Sequence, residues 1–231
     1  MRQILVIGGR LGISSSLVQQ LAGQASVIAT SRTGAPVKGA SQTLLFDAES
    51  PDDFALDHVD RLDGVVYCPG TISLKPFRRF SQADFLRDYQ INVLGAVSVL
   101  QKALPLLERS DQCAGVVLFS TVAAKMGMPF HASIASAKAA VEGLVVSLAA
   151  EFAPKVRVNA IAPSLTDTPL AAPIVSTEAK LKASEERHPL KQIGDADDIA
   201  SLAVWLLSDQ ARFVTGQVIN ADGGMGSITR L

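Results

Sequence analysis

Gln3-Ile4-Leu5-Val6-Ile7-Gly8-Gly9-Arg10-Leu11-Gly12-Ile13-Ser14 decides the fold. Ile4 to Ile7 is a short apolar run, suited to a buried strand and too brief for a helix. The glycines that follow permit a tight turn and a close approach to the backbone. A helical period begins at Ile13. Strand, glycine turn and helix N-terminus in that order aim backbone N–H groups and the positive end of a helix dipole at one point. That arrangement suits a pyrophosphate. A glycine turn alone is equally compatible with a plain structural turn.

The same alternation continues outward. Short apolar or β-branched runs at 4–7, 26–30, 43–46, 64–67, 115–119, 157–161 and 218–220 read as strands, and helical periods fall near 13–21, 82–108, 132–152 and 197–208. Strands alternating with helices predict an α/β fold: one Rossmann-type, doubly wound parallel sheet of about seven strands with helices on both faces. It fills 1–231 as one domain. Residues 31–42 carry two glycines and a proline and read as loop, so the second crossover lacks a full helix. Residues 171–193 are polar and helix-prone, and are expected to form a substrate lid.

Composition narrows the function classes. The hydrophobic share of 48% suits a sheet buried on both faces. A net charge of −1 suggests neither a nucleic-acid nor an anionic-membrane partner. Cys68 and Cys113 make no disulfide framework and fit a reducing cytosol. The first strand leaves no room for a signal peptide, and the apolar stretch 144–150, bracketed by Glu142 and Glu151, is too short to span a bilayer. A cytoplasmic location is expected, and no metal-ligand set is assigned.

The end of the second strand bears on cofactor choice. An acidic residue there would favour a free ribose 2′-hydroxyl, whereas a 2′-phosphate needs a cation. The strand ends Thr30-Ser31-Arg32, with no carboxylate before Asp47. Arg32 can hold a phosphate by a charge-assisted pair, helped by Ser31 and Arg10, which predicts NADP(H). The alternative is an ordinary surface arginine. Asp47 is suited to an adenine amino group, or else to capping a helix starting at Ser50-Pro51-Asp52.

Further motifs carry a resemblance. They are Ile91-Asn92-Val93-Leu94-Gly95, the run from Val156 to Pro163 with Asp167-Thr168-Pro169, Pro189-Leu190 with Asp197-Asp198-Ile199-Ala200, and Val214 through Gly224. With the Gly8–Gly12–Ser14 spacing, in which Ser14 stands for a third glycine, the whole chain resembles the short-chain dehydrogenase/reductase family. The resemblance implies a cofactor-contacting set of Gly8, Arg10, Leu11, Gly12, Ile13, Ser31, Arg32, Asp47, Ala48, Pro69, Gly70, Lys138, Pro163, Ser164, Thr166 and Thr168. It also implies a small-molecule substrate, with hydride transfer to or from a carbonyl or enone, and a homotetramer or dimer joined through the helices 82–108 and 132–152; helices packed only on their own sheet are the alternative.

The departures concern the chemistry. The family's Asn-Ala-Gly is Cys68-Pro69-Gly70 here, and its Pro-Gly is Pro163-Ser164. Its catalytic Tyr-x-x-x-Lys pair keeps the lysine as Lys138, but counting back four positions reaches Ile134. The catalytic serine falls on Thr121, and Asn92 takes the asparagine of the proton path. Ile134 cannot do acid–base work. His131, seven positions before Lys138, lies two helical turns away on nearly the same face and offers an imidazole. A Lys138 ammonium nearby works against its charged form, and a loop histidine is the alternative. Three functions remain: an NADP(H)-dependent oxidoreductase using Lys138, Thr121, Asn92 and His131 or water; a catalytically silent NADP(H)-binding scaffold; and a non-redox lyase or isomerase.

Overall fold

The computed structural model describes residues 1–51 and 54–228. Its strands are β1 (Arg2–Ile7), β2 (Ala25–Ser31), β3 (Gln42–Leu45), β4 (Gly64–Tyr67), β5 (Ala114–Phe119), β6 (Val156–Pro163) and β7 (Val218–Ala221). They form one parallel sheet in the order β3-β2-β1-β4-β5-β6-β7. The direction of winding reverses between β1, which pairs with β2, and β4. In such sheets a crevice opens at that switch, beyond the carboxyl ends of the strands.

Both faces are covered, as the continuous apolar strands require. Strand side chains alternate between faces, so Ile4 and Val6 pack with Leu17 and Val18 of α1 (Ile13–Leu21) and Ile199 and Leu206 of α6 (Ala196–Leu207). Leu5 and Ile7 share the other face with Val99 and Leu107 of α3 (Gly95–Leu107) and Val141 and Val145 of α4 (Ala132–Phe152). Burying one such side chain stabilises the fold by roughly 1.5–3 kcal/mol. By length and apolar content alone, 82–107 and 132–152 are each able to cross a membrane, which the stretch 144–150 by itself did not suggest. In the fold, each lays an apolar stripe against the sheet.

Three details refine the expected elements. The long helix expected over 82–108 is α2 (Gln82–Tyr89) and α3 joined by a π-helical turn, Gln90–Leu94. Such a widened turn is common beside functional sites, and this one contains Asn92. Residues 31–42 contain no helix, as read, and the segment 171–193 contains α5 (Glu178–Arg187). Ser50 and Pro51 fall in a turn, but the helix start read there reaches Asp52, outside the described residues.

Candidate active site

The turn between β1 and α1 takes the conformation its glycines permit. Gly8 and Gly12 have φ of 84° and 57°, a region costly for residues with a Cβ. The Ser14 hydroxyl donates to the carbonyls of Gly8 and, at 2.9 Å, Leu11. It thereby fixes the turn that a third glycine would otherwise only permit. Gly12 caps α1 without a side-chain hydrogen bond, leaving that helix end open to an anion. Thr168 closes on this turn, its Cβ 3.1 Å from where a side-chain carbon on Gly12 would sit.

A cavity of about 540 Å³ opens beside it. It brings together Leu11, Gly12, Ile13, Gly70, Thr121, His131, Lys138, Pro163, Ser164, Thr166 and Thr168 from the expected set, with Ile134 among them. Gly8, Arg10, Ser31, Arg32, Asp47, Ala48, Pro69 and Asn92 do not line it. Pro69 packs on Gly8, its ring 3.5 Å from a side-chain carbon placed there. At the outer end Arg32 is exposed and makes no hydrogen bond or ion pair among the described residues. Arg10 donates at 3.3 Å to Oγ1 of Thr33, the residue that follows Arg32 in the chain. Ser31 differs from the expectation: it is buried and its hydroxyl donates to the Ala35 carbonyl at 3.0 Å, so it shapes the loop. Asp47 is exposed and accepts from the Glu49 N–H at 3.0 Å, while Ala48 is buried.

Lys138 is no surface lysine. It is 7% exposed, and its Nζ donates to the Phe119 carbonyl at 2.8 Å, leaving further N–H groups for another acceptor. Burial lowers its pKa to about 8, with Cys68 and Asp88 pulling the other way. The same burial pushes the Cys68 thiol up to about 12. Asn92 donates to the Asp88 carbonyl at 2.7 Å and to Thr71 Oγ1 at 3.1 Å, but its buried Oδ1 has no partner. That oxygen and Lys138 Nζ lie 3.4 and 3.5 Å from where a side-chain carbon on Gly70 would sit. An orphaned acceptor and an under-used donor thus meet at a glycine. A larger residue there would crowd both.

The acid–base groups are arranged as follows. Thr121 is half-buried and accepts from the Ala123 N–H at 3.3 Å, which leaves its own proton to donate. His131 caps α4, with Nδ1 2.7 Å from the Pro129 carbonyl. A carbonyl only accepts, so Nδ1 carries a proton and Nε2 is the free atom. Ile134 is buried at 5% exposure.

Residues 47–226 match the family described as enoyl-(acyl carrier protein) reductase. The chain belongs to the short-chain dehydrogenase/reductase family. The 3-oxoacyl-[acyl-carrier-protein] reductase FabG of Aquifex aeolicus is 30% identical over 96% of this chain and 96% of that one. Thermoplasma acidophilum aldohexose dehydrogenase superposes with a TM-score of 0.91 at 26% identity, covering 100% of this chain and 96% of the other. ElxO with NADP bound gives 0.84 at 26% identity over 98% and 99%. An oxidoreductase fold of the short-chain type is therefore established.

Sequence reasoning missed two groups. Asp88 is buried and accepts from the hydroxyls of Thr71 and Ser133, both at 2.6 Å. His188 is buried against Ser164, at 2.8 Å. Asp88 carries no local signal. For His188 the only clue was Ser164 in the place of a glycine.

Lys138 also makes stability depend on pH. Its folded pKa, about 8, lies below the ordinary lysine value of 10.5. The cost of burying the ammonium is fully present below pH 8 and is relieved as pH rises toward 10.5, where the unfolded chain binds more protons than the folded one. Unfolding midpoints of wild type and Lys138→Met should therefore converge across that window. A constant difference would remove this account.

Proposed function

We propose that the protein is a cytoplasmic NADP(H)-dependent oxidoreductase acting on a small carbonyl or enone, with a proton donor other than tyrosine. The convergence of Lys138 Nζ and the orphaned Asn92 Oδ1 at Gly70 carries this reading. A bound nicotinamide cofactor supplies the hydride exchanged with the substrate carbon. Lys138 binds ribose hydroxyls through the N–H groups that the Phe119 carbonyl leaves over. The α1 N-terminus holds the pyrophosphate, with Thr168 against the glycine turn. Arg32 and Arg10 take a 2′-phosphate, a choice in keeping with the NADP-bound ElxO relative. Thr121 donates to the substrate oxygen, and Asn92 Oδ1 holds a water on the proton path.

His131 supplies the proton. It is half-buried and lines the cleft; with Nδ1 on the Pro129 carbonyl, Nε2 is the atom that would take up a proton from solvent and pass it on. The segment 171–193 closes over the substrate. A second reading, a silent NADP(H)-binding scaffold or a non-redox enzyme, rests on Ile134 in the tyrosine position. Loss of NADPH absorbance on a panel of ketones, aldehydes and enones tests the first reading. No turnover with any of them, in a protein that binds NADPH, favours the second.

Assembly belongs to the same proposal. Leu86, Leu94 and Val146 lie on the helical face away from the sheet, 61%, 44% and 56% exposed. A homotetramer or dimer that buries this face would cover them. A monomeric mass in solution at micromolar concentration would overturn that.

A further inference from the structure

The cavity holds a nucleophile–base pair to which the reductase reading gives no chemical step. Ser164 immediately follows β6, and its hydroxyl donates to His188 Nε2 at 2.8 Å. His188 follows the last turn of α5 and is 1% exposed, with Nδ1 2.8 Å from the Ser184 carbonyl. That carbonyl can only accept, so Nδ1 holds the proton and the Nε2 lone pair receives the serine hydroxyl. A hydroxyl, an imidazole and an orienting oxygen in series are the parts that activate a serine. As oriented, the pair withdraws a proton from Ser164, which suits a nucleophile.

Two further observations favour chemistry over a simple tie between α5 and β6. Ser164 is half-buried, and both it and the 1% exposed His188 line the 540 Å³ cavity. In the turn after Ser164, the backbone N–H groups of Leu165 and Thr166 make no hydrogen bond among the described residues. Unpaired N–H groups immediately after a nucleophile are of the kind that holds an oxyanion.

The geometry points to an acyl-transfer site in which Ser164 is the nucleophile and His188 its base. Its substrates are esters or thioesters whose apolar acyl group lies against cavity residues such as Leu74, Met128, Leu170 and Ile174. Ser164 Oγ bonds to the acyl carbon as its proton passes to His188 Nε2. The bond from that carbon to the leaving oxygen or sulfur breaks, and the departing group takes the proton. A water deprotonated by His188 then cleaves the acyl-serine bond, releasing a carboxylic acid and restoring Ser164. Oxidation states are unchanged throughout.

The test uses the full chain without nicotinamide, treated with a fluorophosphonate probe and assayed on p-nitrophenyl hexanoate. The label is expected on the peptide that carries Ser164, and ester hydrolysis is lost in Ser164→Ala. His188→Gln keeps a hydrogen-bonding side chain but no base, and should slow labelling by about 10²-fold or more. Circular dichroism checks the fold of both variants. If His188→Gln does not fold, the wild-type labelling site and its loss in Ser164→Ala decide the matter. Absence of label at Ser164, or His188→Gln labelling at the wild-type rate, overturns the proposal. Ser164 also belongs to the cofactor-contacting set, so NADPH consumption is read on the wild-type protein, and labelling without nicotinamide tests this site apart from it.

Discussion

Replacing Ile134 by tyrosine should raise carbonyl reduction by about 10²-fold or more, the range a positioned general acid contributes. Ile134 is buried, yet it lines the cavity four residues before Lys138, so a phenol ring has open space ahead of it. The incoming hydroxyl would share the cleft with Lys138, whose charge lowers the pKa of a neighbouring phenol. Initial rates of NADPH oxidation with a common ketone panel measure the gain. In the same assay His131→Ala should abolish whatever activity the wild type has, unless solvent supplies the proton. If Ile134→Tyr binds NADPH normally and gains nothing on any carbonyl, the scaffold reading overtakes the reductase reading.

Arg32→Asp should weaken NADPH binding by about 10- to 100-fold, since a hydrogen bond to a charged group is worth roughly 1.5–3 kcal/mol. Arg32 is exposed and without a partner among the described residues, so no internal ion pair is sacrificed. The new carboxylate would repel a 2′-phosphate and accept from a free 2′-hydroxyl, so NADH binding should hold or improve. Calorimetric titration with both cofactors decides the point. Equal affinity of the wild-type protein for NADH and NADPH would remove Arg32 from the site.

Much of this follows from local pattern. Apolar runs of strand length between helical periods located the seven strands, but not their order in the sheet, in which β1 lies between β2 and β4. The bounds of α1 and α4 fall where their periodicity starts and stops. Glycine spacing located the turn at Gly8–Gly12, and a fixed interval along one helix put Ile134 and Lys138 in register. These features depend on which face of a short segment is apolar, and a segment carries that information itself. Tertiary structure decided the rest. The π-helical turn at Asn92 is set by packing among α2, α3 and α4 and has no periodic signature. Ser31 turned inward because its loop folds back to offer the Ala35 carbonyl. The depth of Lys138, and with it its lowered pKa, comes from the strands and helices that close over it. Ser164 and His188 are 24 residues apart on different elements, and their hydrogen bond exists only because the end of α5 docks against the end of β6. Distant pairings of this kind depend on the angles at which elements pack, which no local stretch of sequence encodes.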